Sequence, residues 1–295
     1  MMAALLPHLF NVISPVFFIA FVGYIWVKKG YDFPAEFVTR INMNIGAPCL
    51  VFAGIMNLGD GILDSQRFIL AVFLSILSLL ALSALFALIF KLPLRAYIVT
   101  LYSTNSGNMG IPLCLFAFGE RGMSLAIAYF AISALFQFTV GLFISHGNLT
   151  AASLTRVTML YGLAAALFFI IGGFEPPLWL MNTTKLMGGV TIPLMLLTLG
   201  ASLARLKLQN SGKMILISAF KLAMGLSVGL GLSAAFGFTG VERNVLIMQC
   251  SMPVAIFSYL LASQYNRSPN DAANMVFITT LMSLVTVPLL LTYVM

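Results

Sequence analysis

Residues 103–112 read STNSGNMGIP and set Asn105, Asn108, Gly110 and Pro112 inside an otherwise apolar stretch. A second stretch, MQCSMPVAIF at 248–257, sets Gln249 and Ser251 four and two residues before Pro253, the positions that Asn108 and Gly110 hold before Pro112. A proline inside a helix removes one backbone hydrogen bond and clashes with the carbonyl four residues back. The half-helix that follows such an interruption presents unpaired N–H groups and partial positive charge at its N-terminus. Neutral amides beside such ends can bind an anion without a formal cation. Taken singly, each motif also fits a kink whose amide bonds a neighbouring helix. Asn44, four residues before Pro48, repeats the spacing and carries the same two readings.

The elements that must position these residues are membrane helices. Of 295 residues, 61% are hydrophobic and 8% charged, against about a quarter charged in soluble domains. Ten apolar segments of bilayer-spanning length can be drawn: 5–27, 40–58, 67–90, 94–118, 122–145, 154–172, 177–204, 214–236, 244–265 and 272–294. At the N-terminus there is neither a charged region nor a small-residue cleavage site, so the first segment is expected to stay as a span. Lys28, Lys29, Arg40, Lys91, Arg95, Arg156, Arg205, Lys207, Lys213 and Arg267 fall in one set of loops; Arg67, Arg121, Lys185 and Arg243 fall in the other. The positive-inside bias puts the first set in the cytoplasm and both termini outside, in a multi-pass protein of the inner (plasma) membrane. The net charge of +7 follows from this loop bias, and no basic stripe with interleaved aromatics suggests a nucleic-acid partner.

The two halves resemble each other. Pro48 aligns with Pro193 and Pro112 with Pro253, at offsets of 145 and 141 residues. Five spans per copy is an odd number, so the second copy enters the membrane inverted, an organisation found in many secondary transporters. The expected fold is all-α: ten transmembrane helices as two inverted five-helix repeats, 1–146 and 154–295, with a short cytoplasmic link at 147–153. The fourth span is expected to open around Ser106–Gly110, with its second half starting near Pro112, and to cross the ninth near the bilayer midplane. Pro48 and Pro193 mark a second pair of expected breaks.

All eight acidic residues, Asp32, Glu36, Asp60, Asp64, Glu120, Glu175, Glu242 and Asp271, fall in loops or at span ends. No carboxylate sits mid-membrane to titrate as in cation/proton antiporters. Lys221 is the exception among charges, and a lysine at the centre of a span costs about 2.5–3.5 kcal/mol on insertion scales. It either snorkels to the cytoplasmic face or serves substrate attraction or coupling. Gln137, Thr139, Thr279, Thr280 and Ser283 read as bonds between helices. Cys49, Cys114 and Cys250 read as small apolar residues. With only His8 and His146, no metal-ligand spacing and no nucleotide-binding loop, an enzyme, a metal and a cofactor are not indicated.

At NSGNMGIP, with Asn105 seven residues before Pro112, and at MPVAIFSYLLASQY, with Met252, Pro253, Ala262 and Tyr265, the chain resembles the auxin efflux carrier family over nearly its whole length. That family includes plant auxin exporters and bacterial malonate- or malate-permease-like carriers. LTLGASLA and ITTLMSLVTVPLL add to the likeness. The resemblance implies scaffold and transport subdomains on a fold like that of the sodium/bile-acid symporters. It implies elevator-type alternating access, an anionic substrate, and Asn105 near the substrate carboxylate. The long loop that separates the halves in the plant exporters is here only SHGNLTAASLT.

The reading is a secondary carrier of small organic anions, auxin- or dicarboxylate-like, with Asn105, Asn108, Gly110, Gln249, Ser251 and Asn44 at the substrate. Its rivals are a sodium-coupled symporter of bile-acid-like anions and a membrane sensor that binds its ligand without moving it. The coupling ion is unspecified. Carriers of this class commonly pair as homodimers, but no motif specifies one.

Overall fold

The structure is a computed structural model and describes residues 2–58, 66–147, 158–206 and 212–294. Asp60, Asp64, Arg156, Lys207 and the link after Gly147 lie outside the described residues. Helix α1 (Met2–Lys28) is followed by α2 (Ala35–Ile41), which passes through a π-helical turn at Asn42–Gly46 into α3 (Ala47–Leu58). After α4 (Gln66–Ile89) come α5 (Leu94–Tyr102), a π turn at Ser106–Gly110, and α6 (Ile111–Phe136). A third π turn, Gln137–Gly141, leads to α7 (Leu142–His146). The second half holds α8 (Met159–Gly172), α9 (Leu178–Arg205), α10 (Gly212–Ala235), α11 (Gly240–Cys250), α12 (Ile256–Gln264) and α13 (Pro269–Val294).

Helix is the expected answer to a sequence this apolar, because each backbone N–H and C=O finds its partner within the segment. Seven helical runs among the described residues are long and apolar enough to cross a bilayer: Leu9–Lys28, Ala35–Asn57, Gln66–Ile89, Ser106–His146, Leu178–Arg205, Gly212–Ala235 and Pro269–Val294. The 41-residue run Ser106–His146 is divided at Gly119, whose φ of 67° is not helical. α8 is a shorter apolar helix, and α5, α11 and α12 have only nine, eleven and nine residues. Ile171 is 82% exposed and Leu178 75%, so the apolar exterior is suited to lipid rather than water.

The helices pack in two groups. α1, α3, α8 and α9 form one; α4, α5, α6, α10, α11, α12 and α13 form the other, with α1 and α3 resting on α6. The α1–α9 contact is the most extensive and is backbone to backbone. A Cβ added to Gly200 would overlap the Ala20 carbonyl, and one added to Gly23 would overlap the Leu197 carbonyl. Gly200→Val is therefore expected to cost roughly 3 kcal/mol, the upper end for an overpacked site that cannot yield. Gly189→Val, on the same helix with nothing within 4 Å of its added Cβ, should be near neutral. Thermal melts of the two purified variants check this; equal melting temperatures would contradict it.

The second and seventh spans correct the expectation of breaks at Pro48 and Pro193. α9 runs unbroken through Pro193, and Pro48 follows the π turn at Asn42–Gly46 as the second residue of α3. One lost hydrogen bond is absorbed by the wider turn before Pro48, without unwinding. The bulge also brings Asn42 Nδ2 to the Thr191 carbonyl at 3.3 Å, which ties the second span to the seventh.

Candidate functional site

Two helices stop inside the protein. α5 ends at Tyr102, Ser103 is extended (φ −71°, ψ 121°), and Asn105 turns the chain (φ −76°, ψ 50°) into the π turn that starts at Ser106. α11 ends at Cys250, and the chain reaches Ala255 (φ −67°, ψ 135°) before α12 begins. The two segments cross and pair. Asn105 N–H donates to the Pro253 carbonyl at 2.8 Å, Ala255 N–H donates to the Ser103 carbonyl at 3.3 Å, and Thr104 faces Val254 in an antiparallel bridge.

Unwound backbone at this depth is tolerated when protein satisfies it, and here it does. The Val254 N–H donates to Thr279 Oγ1 of α13 at 3.0 Å, while the Met252 carbonyl accepts from the Lys221 amine. The Asn105 carbonyl accepts the Met109 and Gly110 N–H groups at 3.3 and 3.1 Å. The fourth-span break thus lies at Ser103–Asn105, earlier than Ser106–Gly110, and those five residues are already helical. Pro112 is the second residue of α6, where its missing N–H is no loss.

The crossing forms the inner wall of a cavity of about 680 Å³. Its floor is the first turn of each second half-helix, Ser106–Asn108 and Ala255–Phe257. In such a first turn the N–H groups have no acceptor within their own helix and carry the positive end of the dipole. Asn44, Asn105, Asn108, Thr104 and Gln137 add polar lining, and Phe130, Phe138, Phe257 and Met195 supply apolar walls. The Phe138 and Phe257 rings lie 4.6 Å apart. Arg40, Arg205 and Glu36 stand at the mouth, with Glu36 paired to Arg40 at 2.8 Å. Glu36 is the one acidic side chain among the described lining residues.

Three buried polar atoms in this lining have no partner: Asn105 Nδ2, Gln137 Nε2 and Thr104 Oγ1. Asn105 is 4% exposed and Gln137 7%. Unpaired donors this deep are costly, and two lining residues that each hold a spare carboxamide N–H beside two helix N-termini suit an acceptor that carries negative charge.

Of the residues singled out from sequence, the structure therefore gathers Asn44, Asn105 and Asn108 in the lining. It does not bring Gly110, Gln249 or Ser251 there. Gln249 packs on Gly110, where an added Cβ would overlap its Oε1, and its Nε2 reaches the Ala126 carbonyl at 3.5 Å. Ser251 Oγ donates back to the Ile247 carbonyl at 2.7 Å. Gln249 belongs to the seam between α6 and α11, while Ser251 sits beside Gly225 of α10. Pro253 lies within the crossing itself. Lys221 does not snorkel: it is wholly buried against the ninth-span break, because the carbonyl exposed there offers its amine a closer partner than water. From sequence, Gln137 reads only as a bond between helices, and neither Thr104 nor Arg205 stands out as a site residue. Gln137 also makes an interhelical bond, through Oε1 to the Ser103 hydroxyl, but a glutamine has a second polar atom to place.

A family model described as a membrane transport protein matches residues 8–158 and again 149–291. An uncharacterized transporter of Methanothermobacter thermautotrophicus is 27% identical over 203 residues, 63% of this chain and 63% of its own length. An uncharacterized transporter of Methanocaldococcus jannaschii is 26% identical over 298 residues, 95% of this chain and 96% of its own. The chain thus spans 63% of the first relative's length and nearly all of the second's.

Proposed function

This chain belongs to the membrane transport protein family, that of the auxin efflux carriers, and is a multi-pass transporter rather than an enzyme; on that premise we propose that it is a secondary carrier of small organic anions. The observation that carries this reading is the convergence of unpaired Asn105 Nδ2 and Gln137 Nε2 with two half-helix N-termini in one cavity. A carboxylate accepts from the amides and from the N–H groups of Ser106–Asn108, while the phenyl rings and Met195 take an apolar or aromatic body. Arg40 and Arg205 at the mouth draw the anion in.

In this reading the chain crosses the membrane ten times. α5 with the start of α6, and α11 with α12, each make one broken pass, and the rest of α6 with α7 makes the fifth. Residues 1–146 and 154–295 are inverted five-helix repeats, and both termini lie outside. The mouth then faces the cytoplasm, on the side of Lys28, Lys29, Arg40 and Arg205. The group that holds the crossing slides as a body along α1, α3, α8 and α9, in an elevator motion that exposes the same cavity to either side.

Thermal unfolding of the purified protein tests the ligand class. Phenylacetate or malonate should raise the melting temperature, with about 2.7 kcal/mol of stabilisation at a hundredfold excess over Kd. Phenylacetamide, of similar shape but uncharged, should not. Equal shifts from acid and amide, or none from either acid, would contradict the assignment. Counterflow in sealed vesicles separates a carrier from a sensor, and dependence on sodium would mark a sodium symporter.

A further inference from the structure

Lys221 of α10 lies outside the cavity lining, on the ninth-span break, and is wholly buried. Its amine donates to the Met252 carbonyl. The next carbonyl along, that of Pro253, accepts the N–H of Asn105, a residue of the cavity lining. A single unwound segment therefore links the lysine amine to the residue placed at the anion.

No carboxylate balances this amine among the described residues. Glu36 pairs with Arg40 at the mouth and Glu242 with Arg121. Asp271 accepts from Tyr97 at 2.8 Å. Asp32 and Glu175 lie in irregular segments between helices, and Glu120 follows the break at Gly119 in α6. The groups that face Lys221 are neutral polar ones: the Cys250 thiol of α11 and, 3.6 Å from that sulfur, the Tyr129 hydroxyl of α6. α4 and α13 also pack on α10. Beyond Arg67 and Asp271 in their first turns, the only ionisable side chain they carry is Tyr293 at the far end of α13. Ser218 Oγ, one turn before Lys221, is buried without a partner.

We propose that Lys221 is the coupling group of the carrier: its amine takes up a proton when the anion binds at Asn105 and gives it up when the anion leaves, so that anion and proton cross together. The inference rests on the anion-carrier reading above. A buried ammonium with no counter-charge is unfavourable, and an anion on the other face of the same unwound segment supplies that charge. The coupling is reciprocal, so the proton strengthens anion binding by the factor by which the anion strengthens proton binding. In balance, the Nζ lone pair takes H⁺ from water on the loading side, and the new N–H bond returns its proton to water on the release side. The amine donates to the Met252 carbonyl in either state, so the contact survives the change. One proton per monovalent anion makes the loaded step electroneutral.

Proteoliposomes decide the matter, with labelled phenylacetate and malonate as probes and protein-free vesicles subtracted. An acid-outside gradient should speed wild-type uptake about tenfold, within the usual range of coupling. Lys221→Met, always neutral, and Lys221→Arg, always charged, should keep exchange at equal pH and lose the response to the gradient. Wild-type uptake indifferent to the gradient, or variants that retain the response, would overturn the proposal while leaving the carrier reading intact. A wild type that moves neither probe under any gradient strikes the carrier reading itself. If neither variant folds, saturating probe added to solubilised wild type in weak buffer with a pH dye should take up protons; no uptake despite binding overturns the coupling role.

Discussion

Asn105→Ala is expected to weaken carboxylate binding roughly 10- to 100-fold, the usual worth of a hydrogen bond to a charged group, and to lower transport by a similar factor. The side chain caps no helix, and Nδ2 has no partner in the protein. The residue's structural work is done by its backbone, which bonds Pro253, Met109 and Gly110. The variant should therefore reach the membrane and melt within a degree or two of wild type. Asn105→Asp should be worse, because it sets a like charge against the substrate. Titration of phenylacetate and malonate against both variants, beside their melting curves, reads the effect. Unchanged affinity in Asn105→Ala would remove the residue from the site.

Gly110→Val should abolish transport by a different route. A Cβ at Gly110 would overlap Gln249 Oε1 and lie 2.8 Å from Cδ of the same side chain, and Gln249 is fully buried. The extra atoms push the start of α6 away from α11, and the crossing depends on their distance. Overpacking of this kind costs about 1–3 kcal/mol. Relief should come from the partner: Gly110→Ala combined with Gln249→Ala should melt higher than Gly110→Ala alone. That non-additivity is the mark of two residues in contact. If Gln249 instead touched the substrate, the double variant would lose binding as well as Gly110→Ala and gain no stability.

The amides and glycines of STNSGNMGIP were legible as a helix interruption because a matching proline motif recurs in the second half, which a lone kink does not explain. The crossing partner was legible from the internal repeat, since Pro253 stands where Pro112 does. The exact residues of the break were not, because proline alone does not unwind a helix. Pro7, Pro15, Pro193 and Pro288 all lie inside intact helices. What opens the chain at Ser103 and Pro253 is the exchange of hydrogen bonds between them, a long-range pairing with no local signature. The same blindness assigned Gln249 and Ser251 to the substrate. Sequence alignment preserves distance from a proline, whereas the face of a side chain depends on where each helix stops. The sequence leaves Lys221 open between snorkelling and a role at the site, because its acceptor, the Met252 carbonyl, exists only once the ninth span has opened.

The two halves of the crossing do unlike work in consequence. The fourth-span side offers side-chain donors to the cavity through Asn105 and Asn108. The ninth-span side offers the start of α12, and turns its polar side chains inward to Ala126 and Ile247. The two sides of the crossing thus present unlike groups to the cavity.

The most direct measurement is a structure of the protein with phenylacetate or malonate bound. A carboxylate within hydrogen-bonding distance of Asn105 Nδ2 and of the N–H groups of Ser106–Asn108, with the rest of the ligand toward Phe138 and Phe257, is the expected result. A carboxylate held only by Arg40 and Arg205 at the mouth, with the amides of Asn105 and Gln137 untouched, would contradict it.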